Sequence, residues 1–158
     1  MNPTLVSPAL DLNENVDSIL AAKGHTVWSI APEASVYEAV ATMSERHTGA
    51  LVVLRAEQLV GIITERDYAR KVILMGRHSR ETRVSEIMTA PVWFVTPAHS
   101  VGQCMHFMTS RRIRHLPVLE NDRVVGLISI GDLVNWIITA QGDTIRQLHN
   151  YISGSYPA

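Results

Sequence analysis

The sequence predicts an α/β (α+β) fold made of two β-α-β-β-α units, packed through their sheets about a pseudo-two-fold axis. Three observations carry this. Shifting the chain by 65 residues aligns Val27–Asp67 with Val92–Asp132 without a gap, and 14 of the 41 aligned positions are identical. Each copy holds an almost continuous apolar run, Ala50–Leu54 in the first, of the kind that is buried on both faces of a sheet. Each copy also ends in the same corner, Gly61-x-x-Thr64-x-x-Asp67 and Gly126-x-x-Ser129-x-x-Asp132, where a strand runs into a helix. Neither unit alone buries enough surface to be stable, so the two are expected to share a core.

The elements follow in order. Residues 1–15 carry Pro3, Pro8, Asp11, Asn13 and Asn15 and read as an irregular arm. Val16–Ala22 is a short helix, capped at Asn15 and stopped at Gly24, with Val16, Ile19 and Leu20 on one face. The set Val84, Ile87 and Met88 repeats that face, so each unit opens on a short helix. Val27–Ile30 is a short strand ended by Pro32. Ser35–Arg46 is a helix with Val36, Ala39, Val40 and Met43 along one stripe. Ala50–Leu54 and Leu59–Ile63 are strands joined by a turn at Arg55–Gln58, whose counterpart holds Asn121-Asp122. Asp67–Met75 is the second helix, ended at Gly76. The organisation is then an arm (1–15), a first unit (16–76), a polar link (77–83), a second unit (84–139) and a trailing helix and tail (140–158). That helix spans Asp143–Ile152 through Ile145, Leu148 and Ile152, and residues 154–158 fray.

Composition limits the function. Hydrophobic residues at 46%, charged residues at 18% and a net charge of −1 describe a globular chain with no bulk pull toward nucleic acid or an anionic membrane. No stretch approaches the roughly 18 apolar residues of a membrane span, and the first residues lack the basic and apolar regions of a signal peptide. Cys104 is the single cysteine, which excludes an internal disulfide and a cysteine zinc site. It stands where Ala39 stands in the first unit and reads as a small core residue. A reducing cytoplasm is the expected setting. His25, His47, His78, His99, His106, His115 and His149 show no metal-ligand spacing, so no metal site is expected. Phosphate-loop, dinucleotide-fingerprint and nucleophile-elbow patterns are absent, and no enzyme activity is expected.

The β-α-β-β-α order, the two corner signatures and Arg114-His115-Leu116-Pro117-Val118 resemble a tandem pair of cystathionine β-synthase (CBS) domains, also called a Bateman module. The resemblance covers Val16–Ile138. It implies a free-standing regulatory, signal-transducing module, without catalysis or catalytic cofactor. Such a module binds AMP, ADP, ATP, NAD or S-adenosylmethionine in clefts between the motifs, forms a homodimer and acts on a regulated protein that the sequence does not name.

The residue chemistry suits that role. Asp67 and Asp132 can each accept bonds from both ribose hydroxyls, and charge-assisted bonds are the stronger kind. Thr64 and Ser129 can bond a ribose oxygen or a phosphate, beside free backbone N–H groups. The resemblance assigns the purine slot to the strand edges at Ile30, at Val95-Thr96, at Ala50-Leu51 and at Leu116-Pro117, with Thr48-Gly49 before the first buried strand. Arg66, Arg112, Arg114 and His115 are candidate phosphate ligands. Against this stand plainer readings. The corners serve equally as helix caps, Arg66, Arg70 and Lys71 as a solvated helix face, and Trp28 and Trp93 as packing. Unequal charge around the corners predicts two sites of different affinity or ligand. The competing function is a structural or interaction module with vestigial clefts.

Overall fold

The computed structural model describes residues 12–153, so the expected arm falls largely, and the expected frayed tail wholly, outside the described residues. The order is α1 (Val16–Lys23), β1 (Ser29–Ile30), α2 (Val36–Arg46), β2 (Ala50–Arg55), β3 (Gln58–Thr64), α3 (Glu65–Tyr68), a π-helical turn (Ala69–Ile73), α4 (Val84–Ile87), α5 (Val101–Arg111), β4 (His115–Glu120), β5 (Arg123–Ser129) and α6 (Ile130–Ile152). Ser35 caps α2 and Ser100 caps α5, each through a reciprocal capping box with the residue three positions on. The repeat is thus written in the caps as well as in the strands.

β1 pairs parallel with β2, and β2 pairs antiparallel with β3. β4 and β5 form the matching hairpin, with Ala50↔Thr64 answered by His115↔Ser129 and a register shift at Val53/Leu54 answered by one at Val118/Leu119. The strand expected at 92–95 is reduced to a single bridge, Val95↔Val118. Pro117 explains the loss. In the first unit the Val52 N–H donates to the Trp28 carbonyl, whereas its equivalent Pro117 has no N–H for Trp93.

Two further elements differ from expectation. The second helix begins at Glu65 on the Thr64 cap, and after Tyr68 it widens into the π turn, where the Leu74 N–H reaches back five residues to the Ala69 carbonyl. No break separates the second unit from a trailing helix. The first unit stops at Gly76 with φ +65°, but Gly142 has no positive φ and α6 continues through it. Leu148 and Ile152 on that extension are exposed; the side chain of Ile145 lies outside the described part.

The core has three parts. Ala50, Val52, Ile62 and Leu127 fill the space between the two sheets, as the shared core requires. The other two parts show an exchange. Val16, Ile19 and Leu20 of α1 pack into the second unit's core with Val101, Met108 and Ile128, while Val84 and Ile87 of α4 pack into the first unit's core with Val36, Met43 and Ile63. Each opening helix therefore completes the core of the unit that it does not open in sequence. The exchange accounts for the glycine of each corner signature. A Cβ on Gly61 would lie 2.4 Å from Met88 Sδ, and one on Gly126 would lie 2.6 Å from Leu20 Cδ2. A larger residue at either position would have to push that side chain aside, so glycine lets the incoming segment close on the strand.

Candidate nucleotide cleft

At the first corner Thr64 caps α3, and Asp67 closes the box: the Asp67 N–H donates to Thr64 Oγ1 (3.2 Å) and the Thr64 N–H donates to Asp67 Oδ2 (3.0 Å). Thr89 Oγ1 adds a bond to Asp67 Oδ1 (3.1 Å), and Lys71 Nζ lies 3.0 Å from the same oxygen. Asp67 is buried and its side-chain oxygens are fully partnered. Thr89 is held there because its N–H and C=O pair with Ile62 on the edge of β3 (2.8 and 3.1 Å). Nothing in the local sequence signalled Thr89, which arrives from the segment after α4.

This corner opens into a cleft of about 680 Å³. The first unit contributes Gly49, Ile62, Thr64, Glu65, Arg66, Asp67, Arg70 and Lys71; Thr89 and the run Arg112, Ile113, Arg114 and His115 complete it from beyond the link. Arg66 Nη1 donates to the Arg112 carbonyl (3.0 Å), so the two units touch across the cleft. Arg112 ends α5 in the left-handed conformation, φ 54°, and turns the chain so that Arg114 and His115 also reach the cleft. Burial lowers the His115 pKa below its ordinary value, and the neighbouring Lys23 and Arg114 charges lower it further, while Asp132 opposes them.

Of the residues singled out from sequence, Gly49, Thr64, Arg66, Asp67, Arg112, Arg114 and His115 line this cleft. Ala50, Leu51, Leu116 and Pro117 lie in β2 and β4 with their side chains buried, and Ile30 packs on the first unit's core. Val95 is buried in the second unit's core. Thr48 is turned to its own chain, its hydroxyl donating to the Ala50 carbonyl (3.1 Å). The Thr96 N–H and hydroxyl both meet His99 Nδ1 (3.0 Å each).

Ser129 and Asp132 form the second corner with the same box (2.8 and 3.1 Å). Here Lys23, the last residue of α1, takes the place of Thr89. Its Nζ donates to Asp132 Oδ2 (2.5 Å) and to the Leu127 carbonyl (2.6 Å), the equivalent of the Ile62 carbonyl. One ammonium does at this corner what a hydroxyl and a backbone N–H do at the other.

Cys104 is buried, and desolvation pushes its thiol up to about 11. Among the described residues no group of His, Cys, Asp and Glu is placed to hold a metal ion, and no helix is long and apolar enough to cross a membrane.

A family model described as the CBS domain matches residues 24–73 and 84–139. A CBS domain-containing protein of Arabidopsis thaliana, named as mitochondrial, is 40% identical over 141 residues, which cover 86% of this chain and 68% of that protein. The solved structure of a provisionally assigned signal-transduction protein with CBS domains from Burkholderia ambifaria is 48% identical, with a TM-score of 0.78 over 80% of this chain and 96% of that one. The hexameric CBS-CP12 protein of bloom-forming cyanobacteria is 30% identical, with a TM-score of 0.69 over 76% of this chain and 69% of that one.

Proposed function

Since the chain belongs to the CBS-domain family as a tandem pair, a class of regulatory module, we propose that it is a non-catalytic sensor that binds AMP, ADP, ATP or NAD between its two units. One observation carries the reading: a single cleft of ligand size joins the hydroxyl–carboxylate corner of one unit to the Arg112–His115 run of the other. A nucleotide lying across it contacts both units at once and stabilises whichever arrangement clamps it best. A partner protein, the regulated target, reads that arrangement. The compartment in this reading is the cytoplasm, whose reducing conditions suit a lone cysteine.

In this reading the ribose hydroxyls replace donors that Asp67 already has. Thr89 is neutral, and the Lys71 side chain is 45% exposed, so it can leave the carboxylate and follow a phosphate. Asp67→Asn keeps the shape and loses the charge. It is expected to weaken binding of an adenosine nucleotide at least about tenfold, the usual scale for a charge-assisted bond. Titration calorimetry with equal affinities for the variant and the native chain would refute the ribose role.

The module is a homodimer in the same reading. Ile73 and Ile138 are equivalent in the repeat, and both are exposed, at 57% and 60%. Apolar side chains of this size on two related faces suit a two-fold contact between copies. Ile138→Glu should turn a dimer into a monomer in light scattering; an unchanged mass would place the contact elsewhere.

A further inference from the structure

Five cations line the first cleft, Arg66, Arg70, Lys71, Arg112 and Arg114, against two carboxylates, Glu65 and Asp67. Among the described residues only Lys71 of the five has a carboxylate partner. Gathering four guanidinium groups around one cavity with no carboxylate paired to any of them costs the folded state, so the arrangement is understood best from the anion that would relieve it. The backbone contributes to it. On an α-helix, residues four apart share a face, but the fifth is turned well away. The π turn at Ala69–Ile73 carries bonds that span five residues, and both Arg70 and Lys71 reach the cleft beside Arg66.

The second corner has none of this. The repeat equivalents of Arg66, Arg70 and Lys71 are Gly131, Asn135 and Trp136, on a regular α-helix. The equivalents of Arg112 and Arg114 are His47 and Gly49. Its one ammonium, Lys23, is already committed to Asp132 and the Leu127 carbonyl.

From this division we infer that the first cleft is a polyphosphate site, built for a ligand with two or three consecutive phosphates, and that the second corner rejects such a ligand. This rests on the nucleotide reading above for the adenosine part of the ligand but not for the phosphate part. Arg70, Arg112 and Arg114 are the residues that count phosphates, since a monophosphate held at the corner satisfies fewer of them. Guanidinium forks suit paired phosphate oxygens, which an ammonium cannot match.

The test is titration calorimetry of the full chain with adenosine, AMP, ADP, ATP and inorganic tripolyphosphate, with divalent metal chelated so that the phosphates keep their charge. Affinity should rise by about tenfold or more from AMP to ATP, one charge-assisted contact or better. The stoichiometry should be one ATP per chain, and tripolyphosphate should compete with ATP. Raising the salt should weaken ATP more than AMP. Arg70→Gln and Arg114→Gln, both surface changes, should each narrow the ATP-to-AMP ratio. Equal affinity for AMP and ATP, or two equal ATP sites, would overturn the inference and leave the nucleotide reading standing. Tripolyphosphate binding as tightly as ATP, with adenosine and AMP silent, would do the reverse. Silence from every probe would remove both.

Discussion

His115 stands between the two corners. A Cβ on Gly49 would lie 3.5 Å from its Cε1, and the same point is 3.7 Å from Glu65 Oε2; Lys23, Asp132 and Arg114 bear on it from the second unit's side. Desolvation and the two cations hold its pKa below the ordinary 6.5. As pH falls through the ordinary value, the unfolded chain takes up its proton before the folded one does. The stability that neutral His115 confers is therefore complete above that value and drains away below it, down to the folded pKa. The denaturation midpoint is expected to drop as the pH is taken from above 6.5 to below it, and His115→Gln should flatten that drop. Parallel pH profiles for the two proteins would show that another group titrates. The same scale shows what a sequence can and cannot disclose. Thr64 and Asp67 were legible because a capping box is chemistry between residues three apart. Thr89 and Lys23 were not, because each meets its carboxylate from a distant stretch, 22 and 109 residues away.

Among the elements, the two hairpins are the closest copies and differ at their turns. Ala56 and Glu57 have φ of 47° and 63°, Asn121 and Asp122 have 51° and 60°. Both turns place two residues in the left-handed region, as tight hairpins of this twist do. Asparagine and aspartate tolerate that region; alanine and glutamate do so at a cost. Ala56→Asn is therefore expected to stabilise the chain by about 0.5–1 kcal/mol, read as a higher urea midpoint at unchanged slope. An unchanged or lower midpoint would mean that the first turn carries no strain. The strands and the two corner caps were readable from apolar runs and from Thr64 and Ser129, whereas Asn15 stands at the N-cap of α1 without a side-chain cap bond. The lost strand before Val95 was readable in principle, since Pro117 sits where a donor is needed. The π turn had no local signal, because widening a helix by one residue leaves the apolar pattern of Val72 and its neighbours almost unaltered.

For the whole molecule the governing feature is the exchange of opening helices. The repeat shows that each unit has such a helix, but which core receives it depends on the path of the links, and no residue type encodes that path. The consequence is mechanical. Lys23 fastens α1 to β5, and Arg66 fastens α3 to the end of α5, so each sequence unit is bonded to the other. Leu20 gives the sharpest test. It is fully buried in the second unit's core and closes over Gly126, yet in the chain it belongs to the opening helix of the first unit. Leu20→Ala leaves a cavity there and should cost about 2–5 kcal/mol. With the sheets sharing Val52, Ile62 and Leu127, the loss should appear as one cooperative transition at a lower temperature. Hydrogen exchange should then quicken in β2 and β3 as much as in β4 and β5. Faster exchange confined to β4 and β5, with the first hairpin still protected, would mean that the units unfold separately. A ligand bridging them would then act by joining two independent bodies rather than by tightening one.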